Sequence, residues 1–207
     1  MAEQPIDKAT IVNRALIKLG QEGSFALDDE NYRSGQIDAV WPDLVAHCFS
    51  LHDWTFCRKT FRLVQKTKAP ENGWTYCFAL PGGRLGEPQK ILSDARREAP
   101  LREFTIEGDE LFADVDAVWA RCKVEVDPGS WDPGFRSAFT VALAGELAVP
   151  IQSDEGLAAE YRQQAFGTPS QGGTGGLFGR LIGQNVAADP PDSSTRWADP
   201  LTDARYS

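Results

Sequence analysis

The stretch HDWTFCRKTFRL, residues 52–63, gathers side chains of many reactive types into one short segment. Its histidine, acid and cysteine could ligate a metal, or act as base and nucleophile. Its three basic residues alternate with three aromatics, which is typical of a strip that binds single-stranded nucleic acid. The competing interpretation is a junction between a helix and a strand, where Trp54 and Phe56 seal a core. We favour this interpretation, because large aromatics dominate small cores.

The cysteines do not form a metal-binding pattern. They lie at positions 48, 57, 77 and 122, and no two of them form the close couple that structural zinc sites use. His47 and Cys48 are adjacent and His52 follows shortly after, but Cys48 falls on an apolar helix face, where small buried thiols are common. The sequence predicts a packing role for the thiols and neither a metal nor another cofactor.

Motifs for catalysis are also missing from the sequence. The segment GGTGGLFGR lacks the lysine of a phosphate-binding loop, and the motifs GxSxG and HExxH do not occur. The acidic residues Asp28, Asp29 and Glu30 are typical of a solvated loop before a helix N-terminus. We therefore predict that the chain is not an enzyme and has no catalytic residues.

The composition restricts the class of partner. The 207 residues carry a formal net charge of -9, which argues against a phosphate-binding surface spread over the molecule. This charge does not exclude a protein through which DNA merely passes. The sequence contains neither a signal-peptide pattern nor an apolar stretch long enough to cross a bilayer, so we expect a chain that is cytosolic as made and binds no membrane.

Hydrophobic periodicity predicts an α+β fold, with a bundle of about four helices and an inserted antiparallel sheet. Pro42 should kink the second helix or mark a fresh start, and Ser153 should open the fourth. Alternating residues predict one sheet with a wet face over 60–127, including two short strands around Gly108 and Asp109. The predicted helices occupy residues 7–19, 32–49, 133–149 and 154–166.

The segment 167–207 differs in composition from the body, residues 1–166. Its seven glycines and four prolines oppose an independent fold, so we predict an extended C-terminal arm that is disordered in the free subunit and ordered on a partner. A floppy terminus is the alternative. Seven apolar residues are spaced along the arm as anchors for a partner: Leu177, Phe178, Leu181, Ile182, Trp197, Leu201 and Tyr206. The core of the body is predicted to contain Trp54, Phe56, Phe61, Tyr76, Phe78, Phe135, Phe139 and Leu143.

Four stretches together resemble the head-to-tail adaptor, or connector, proteins of tailed bacteriophages and gene-transfer agents, of the tail tubular protein A type. They are IVNRALIKLGQ, AVWPDLVAHCFSLHDWTFCRK, YCFALPGG and DPGFRSAFTVALAGELAVPI, and they cover most of residues 7–166. In the second stretch the family tends to show a helix that ends in a His-x-Trp-x-Phe-like turn. The family pattern often has Pro between His and Trp, where this chain has Asp53, and the glycine-rich arm has no fixed counterpart.

The resemblance implies a structural protein of the virion neck, assembled in the host cytoplasm. Copies would form a ring of about twelve beneath the portal, extend the channel for double-stranded DNA without binding it specifically, and dock the next tail or stopper protein. Helices 7–19 and 133–149 would supply contacts between subunits. Two alternatives stay open: a small partner-binding module with a tail ordered on binding, and an unrecognised enzyme.

Overall fold

A computed structural model describes residues 6–26, 32–67 and 70–188, and their fold is α+β, as predicted. The chain divides into two compact units. We call the first, the described residues up to Arg58 together with Lys123–Gln184, the helical unit, and the second, the described residues of Lys59–Cys122 together with 185–188, the β unit. The predicted acidic loop at 28–30 lies outside the described residues.

The central helix of the helical unit comes from the part of the chain that returns to this unit at Lys123. This helix, α3, is buried along nearly its whole length, from Phe135 to Ala148. Its small-residue stripe receives another helix closely, since a Cβ on Gly145 would lie 3.2 Å from the Arg162 backbone nitrogen. The helices of the described chain are α1 (Lys8–Lys18), α2 (Tyr32–Ser50), α3 (Pro133–Gln152), α4 (Glu155–Phe166) and α5 (Gly176–Ala188).

Side-chain caps explain the helix starts. The Asp7 carboxylate accepts a hydrogen bond from the Thr10 backbone N–H at 2.8 Å, and Asp132 caps α3, whose first residue is Pro133. The prediction that Ser153 opens α4 is wrong. Asp154 is the N-cap, and its carboxylate accepts from the Leu157 N–H, whereas Ser153 ends α3 in the left-handed conformation.

Pro42 does not divide the second helix. Residues Tyr32–Ser50 form one helix with the proline inside it, so the predicted fresh start is wrong. Pro150 is likewise tolerated inside α3, which continues to Gln152, three residues beyond the predicted end at 149. Packing of the apolar faces outweighs the lost backbone hydrogen bond in both helices.

The β unit contains two antiparallel four-stranded sheets, where the sequence predicted one. The chain changes sheets at Leu63, whose backbone N–H donates to the Val118 carbonyl at 2.9 Å and whose side chain is buried. Sheet A has the order β1-β8-β4-β5 and sheet B the order β2-β3-β7-β6. The strands are β1 (Arg58–Arg62), β2 (Val64–Gln65), β3 (Tyr76–Ala79), β4 (Lys90–Asp94), β5 (Ala99–Pro100), β6 (Thr105–Glu107), β7 (Glu110–Ala113) and β8 (Trp119–Lys123).

The predicted side-chain alternation in the β unit is confirmed. Val118, Ala120 and Cys122 are buried in the core, while Trp119 and Arg121 are only partly covered. Gly108, with φ of 60°, turns the chain between β6 and β7, as predicted from the pair Gly108 and Asp109.

The predicted extended arm is wrong for its described part, residues 167–188. A helix, α5, begins at Gly176, and Phe178 on its first turn has no exposed surface. The glycines serve close packing here, because a Cβ on Gly176 would lie 2.5 Å from the Gln164 carbonyl oxygen. Burial of Phe178 stabilises a helix whose glycine content is unfavourable.

Candidate functional site

Trp54, at the centre of the stretch 52–63, is a core residue of the helical unit. Its side chain is 2% exposed, and its indole N–H donates to the Cys48 carbonyl at 3.0 Å. The ring lies edge-on to Phe135, with centroids 5.2 Å apart, and 6.2 Å from Phe178. The turn therefore joins α2, α3 and α5 through one side chain.

Trp54 belongs to a continuous cluster of aromatic rings. Neighbouring centroids lie between 4.9 Å and 6.3 Å apart, mostly in edge-to-face geometry, which the ring quadrupoles favour. We call this set the aromatic cluster: Trp41, Phe49, Trp54, Phe56, Trp131, Phe135, Phe139, Phe166 and Phe178. Segments far apart in sequence thus share one core.

The basic residues of the stretch are engaged with their own unit. In the helical unit, Arg58 donates to the Asp53 carbonyl at 2.9 Å. In the β unit, the Lys59 ammonium lies 5.2 Å from the Phe61 ring and the Arg62 guanidinium 5.8 Å from the Trp119 ring, both in cation–π geometry. Trp54 is buried and Phe56 and Phe61 are half-buried, so the stretch lacks the free stacking platform of a nucleic-acid strip.

Neither the histidines nor the cysteines form a ligand set. The His47 ring packs on Phe166 at 5.2 Å and the His52 ring on Trp54 at 5.1 Å. All four thiols are free and buried. Burial raises the pKa of Cys48 far above its usual value and that of Cys57 to about 11, so both are protonated near neutral pH. Over the described residues, no group of three potential metal ligands occurs.

The predicted core residues divide by burial. Trp54, Phe78, Phe135, Phe139 and Leu143 are buried, whereas Phe56, Phe61 and Tyr76 are half-buried. Sequence reasoning missed Trp131, which is 3% exposed and whose indole N–H donates to the Val126 carbonyl at 2.7 Å. The available signal was a large aromatic directly before the N-cap Asp132, a place where side chains pack back on the first turns of a helix.

The predicted arm anchors that the structure describes differ in burial. Phe178 is fully buried in the aromatic cluster, and Leu177, Leu181 and Ile182 are half-buried on α5. Leu181 packs on α3, since a Cβ on Gly134 would lie 2.6 Å from its Cδ2 atom. Trp197, Leu201 and Tyr206 lie outside the described residues. The anchors seen in the structure bind within their own chain.

Open clefts are present on both units, and two of them are lined by basic side chains. One, of about 510 Å³, lies on the outer face of sheet B, where Lys66 forms an ion pair with Glu110 and the Asn72 amide donates to Glu107 at 3.1 Å. The other, of about 380 Å³, lies between α1 and α3 and is lined by Arg14, Lys18 and Arg136. The first cleft also contains the Cys77 thiol, but burial and the nearby Glu110 carboxylate raise the pKa of this thiol, so the thiolate needed for nucleophilic attack is disfavoured.

No family model matches the chain, and a search of curated proteins finds no significant relative. Among the helices in the described part of the chain, none is long and apolar enough to span a bilayer.

Proposed function

We propose that the chain is a structural head-to-tail adaptor of a phage-like particle, a subunit of a ring beneath the portal. In this role it would extend the DNA channel and dock the next tail component. One observation carries the proposal: three of the family-like stretches, which are far apart in sequence, pack together in the helical unit. The His-x-Trp-x-Phe-like turn supplies Trp54, and the Phe-rich stretch supplies Phe135, 5.2 Å away.

The third stretch, IVNRALIKLGQ, forms α1 and joins the same packing. Ile11, Val12, Ala15 and Leu16 are all fully buried. The Tyr161 hydroxyl donates to the Lys18 carbonyl at 2.8 Å, and the Gln152 amide donates to the Leu19 carbonyl, so the end of α1 is held by the end of α3 and by α4. The residues on which the family resemblance rests are therefore also residues that pack in the core of the helical unit.

The fourth stretch, YCFALPGG, supports the β unit. Phe78 and Leu80 lie in its core, and Gly83 follows with φ of 77°, a conformation that favours glycine. Each of the four stretches thus contributes buried residues to the fold. We would expect this of sequence patterns that a family keeps for structural reasons.

The acidic balance also supports a DNA-channel component. A lumen that repels duplex DNA lets it slide, whereas a basic lumen would hold it. The net charge of -9 agrees with the first kind of wall.

The two helices expected to supply contacts between subunits differ in free surface. The side chains of α3 from Phe135 to Ala148 are nearly all buried within the helical unit, so this stretch has little surface left for a neighbouring copy. Helix α1 keeps an exposed face, on which Ile17 is 63% exposed.

Native mass spectrometry of the purified full chain over a range of concentrations tests the proposal. We expect a closed ring of about twelve copies that does not bind a fluorescent DNA duplex in physiological salt. A chain that stays monomeric at high concentration, or that binds the duplex tightly, would overturn the proposal. A partner-binding module would give the monomer, so this experiment also separates the two functions.

A further inference from the structure

We propose that copies of this chain join head to tail by pairing strand β2 of one copy with strand β6 of the next. The inference rests on the proposed ring and names the contact that would build it. Sheet B has the order β2-β3-β7-β6, so β2 and β6 form its two edges. An edge strand offers backbone groups to a further strand, and a second copy supplies one.

The directions of the strands fit a repeating contact. Each neighbouring pair in sheet B is antiparallel, so β2 and β6 run in opposite directions. When β6 of one copy meets β2 of a similarly oriented copy, the new pair is also antiparallel. The sheet then continues from copy to copy with every neighbouring pair of strands antiparallel. Such a heterologous contact closes into a ring if the rotation between copies allows it.

The hydrogen-bond phase identifies the outward-facing residue of β2. The Lys66 N–H donates to the Cys77 carbonyl at 2.7 Å, so Lys66 and Cys77 form a hydrogen-bonded pair. Because such pairs alternate along an antiparallel ladder, Gln65 opposite Phe78 is a non-bonded pair. The N–H and C=O of Gln65 therefore point away from the sheet.

The same reasoning identifies Ile106 as the residue of β6 whose backbone groups point away from the sheet. Glu107 and Glu110 close the two-residue turn and exchange hydrogen bonds, as residues at this position of a tight hairpin do. Ile106 opposite Leu111 is then the non-bonded pair, and its backbone groups point outward. Gln65 and Ile106 can form a hydrogen-bonded pair between copies, which fixes the register of the contact.

The two edges carry opposite charge. Residues 63–67 around β2 contain Lys66 and no acidic residue, whereas residues 103–107 around β6 contain Glu103 and Glu107 and no basic residue. In the register set by Gln65 and Ile106, Val64 is opposite Glu107 and Lys66 is diagonal to it. Complementary charge favours this pairing over contact between two identical edges, which like charges oppose. Val64, 72% exposed on β2, would be covered by the neighbouring strand.

Proline substitutions test the contact on each edge. Gln65→Pro and Ile106→Pro each remove an N–H that points outward, so the bonds within sheet B are kept. The matched controls Gln65→Ala and Ile106→Ala keep that N–H. We expect both alanine variants to assemble like the wild type, and each proline variant to be monomeric by native mass spectrometry with an unchanged circular dichroism spectrum.

Mixing the two proline variants gives a sharper result. Gln65→Pro keeps a competent β6 edge and Ile106→Pro a competent β2 edge, so the mixture should yield dimers and no larger species. Glu103→Lys, on an exposed side chain, is a variant that leaves the strands unchanged and should weaken assembly by about tenfold at low salt. If a proline variant proves unfolded, assembly by Glu103→Lys equal to that of the wild type would overturn the inference.

The outcomes separate this inference from the proposed function. Rings that form equally well from the wild type and from both proline variants would overturn the β2–β6 contact and leave the adaptor ring standing. A wild-type chain that never assembles would overturn both.

Discussion

The helical unit and the β unit have cores of different kinds. In the helical unit, rings from α2, α3, α4 and α5 interlock in one aromatic cluster, so distant parts of the chain depend on the same few side chains. The core of the β unit is mostly aliphatic, with Leu63, Ile91 and Leu111 among its members, and β2 and β6 are the edge strands of sheet B among the described residues. The first core ties distant parts of the chain together, whereas the second unit carries the edges at which, in our proposal, copies meet.

Removal of α5 should have the largest effect. Truncation after Phe166 deletes Phe178 and uncovers Trp54 and Phe135, so we expect a loss greater than the ~3–5 kcal/mol typical of one buried aromatic. Thermal unfolding followed by circular dichroism measures it. Val186→Ala, at an exposed position of α5, is the control and should keep the wild-type melting temperature. A truncated chain that also keeps the wild-type melting temperature would restore the view of 167–188 as a dispensable arm.

Trp54→Ala should cause the second-largest loss of stability. The variant loses a buried ring and the hydrogen bond to the Cys48 carbonyl, and we expect a cost of about 3–5 kcal/mol in the free energy of unfolding. Urea titration measures this cost. Trp119→Ala, at a half-buried position of the β unit, should cost less. A Trp54 variant as stable as the wild type would place this residue outside the core and revive the nucleic-acid interpretation of the stretch 52–63.

A deletion in the β unit should be milder than the loss of α5. Leu111 is fully buried between β3 and β6, and Leu111→Ala should cost about 2–5 kcal/mol, with the value set by how far the cavity collapses. Hydrogen exchange read by mass spectrometry should show faster exchange in β3 and β7. Unchanged exchange there would mean that this core does not hold sheet B.

Alkaline pH should weaken both cores gradually. Burial raises the pKa of Cys57 to about 11 and also raises that of Cys122, so each folded thiol keeps its proton where the unfolded thiol has lost it. The stabilising contribution is fully present below the unfolded pKa, near 9, and is lost as pH rises through the folded value. Cys57 should contribute a slope of about 1.4 kcal/mol per pH unit in this window. Cys57→Ala should flatten the fall between pH 9 and 11, and an identical pH profile would contradict the assignment.

Local signals in the sequence were sufficient for α1 to α4. Asp7, and Asp132 followed by Pro133, indicate where α1 and α3 begin. The spacing of apolar residues in these two helices predicts which of their faces are buried. These features act over one or two turns and can be read without tertiary contacts.

Features that depend on distant contacts were not predictable in this way. Helix α5 was missed because its glycines indicate flexibility in sequence, whereas Gly176 and Gly179 fit where a Cβ would meet backbone oxygens at 2.5 Å and 2.1 Å. The division into two sheets at Leu63 depends on its bond to Val118, 55 positions further along the chain. Neither contact leaves a periodic signal.

Electron microscopy of the full chain mixed with the portal protein of the same particle tests the central claim most directly. The account predicts a ring of about twelve copies, coaxial with the portal, with a channel wide enough for duplex DNA and with sheet B of each copy continuing into the next. A single copy bound to one side of the portal, or no complex at all, would contradict the adaptor function.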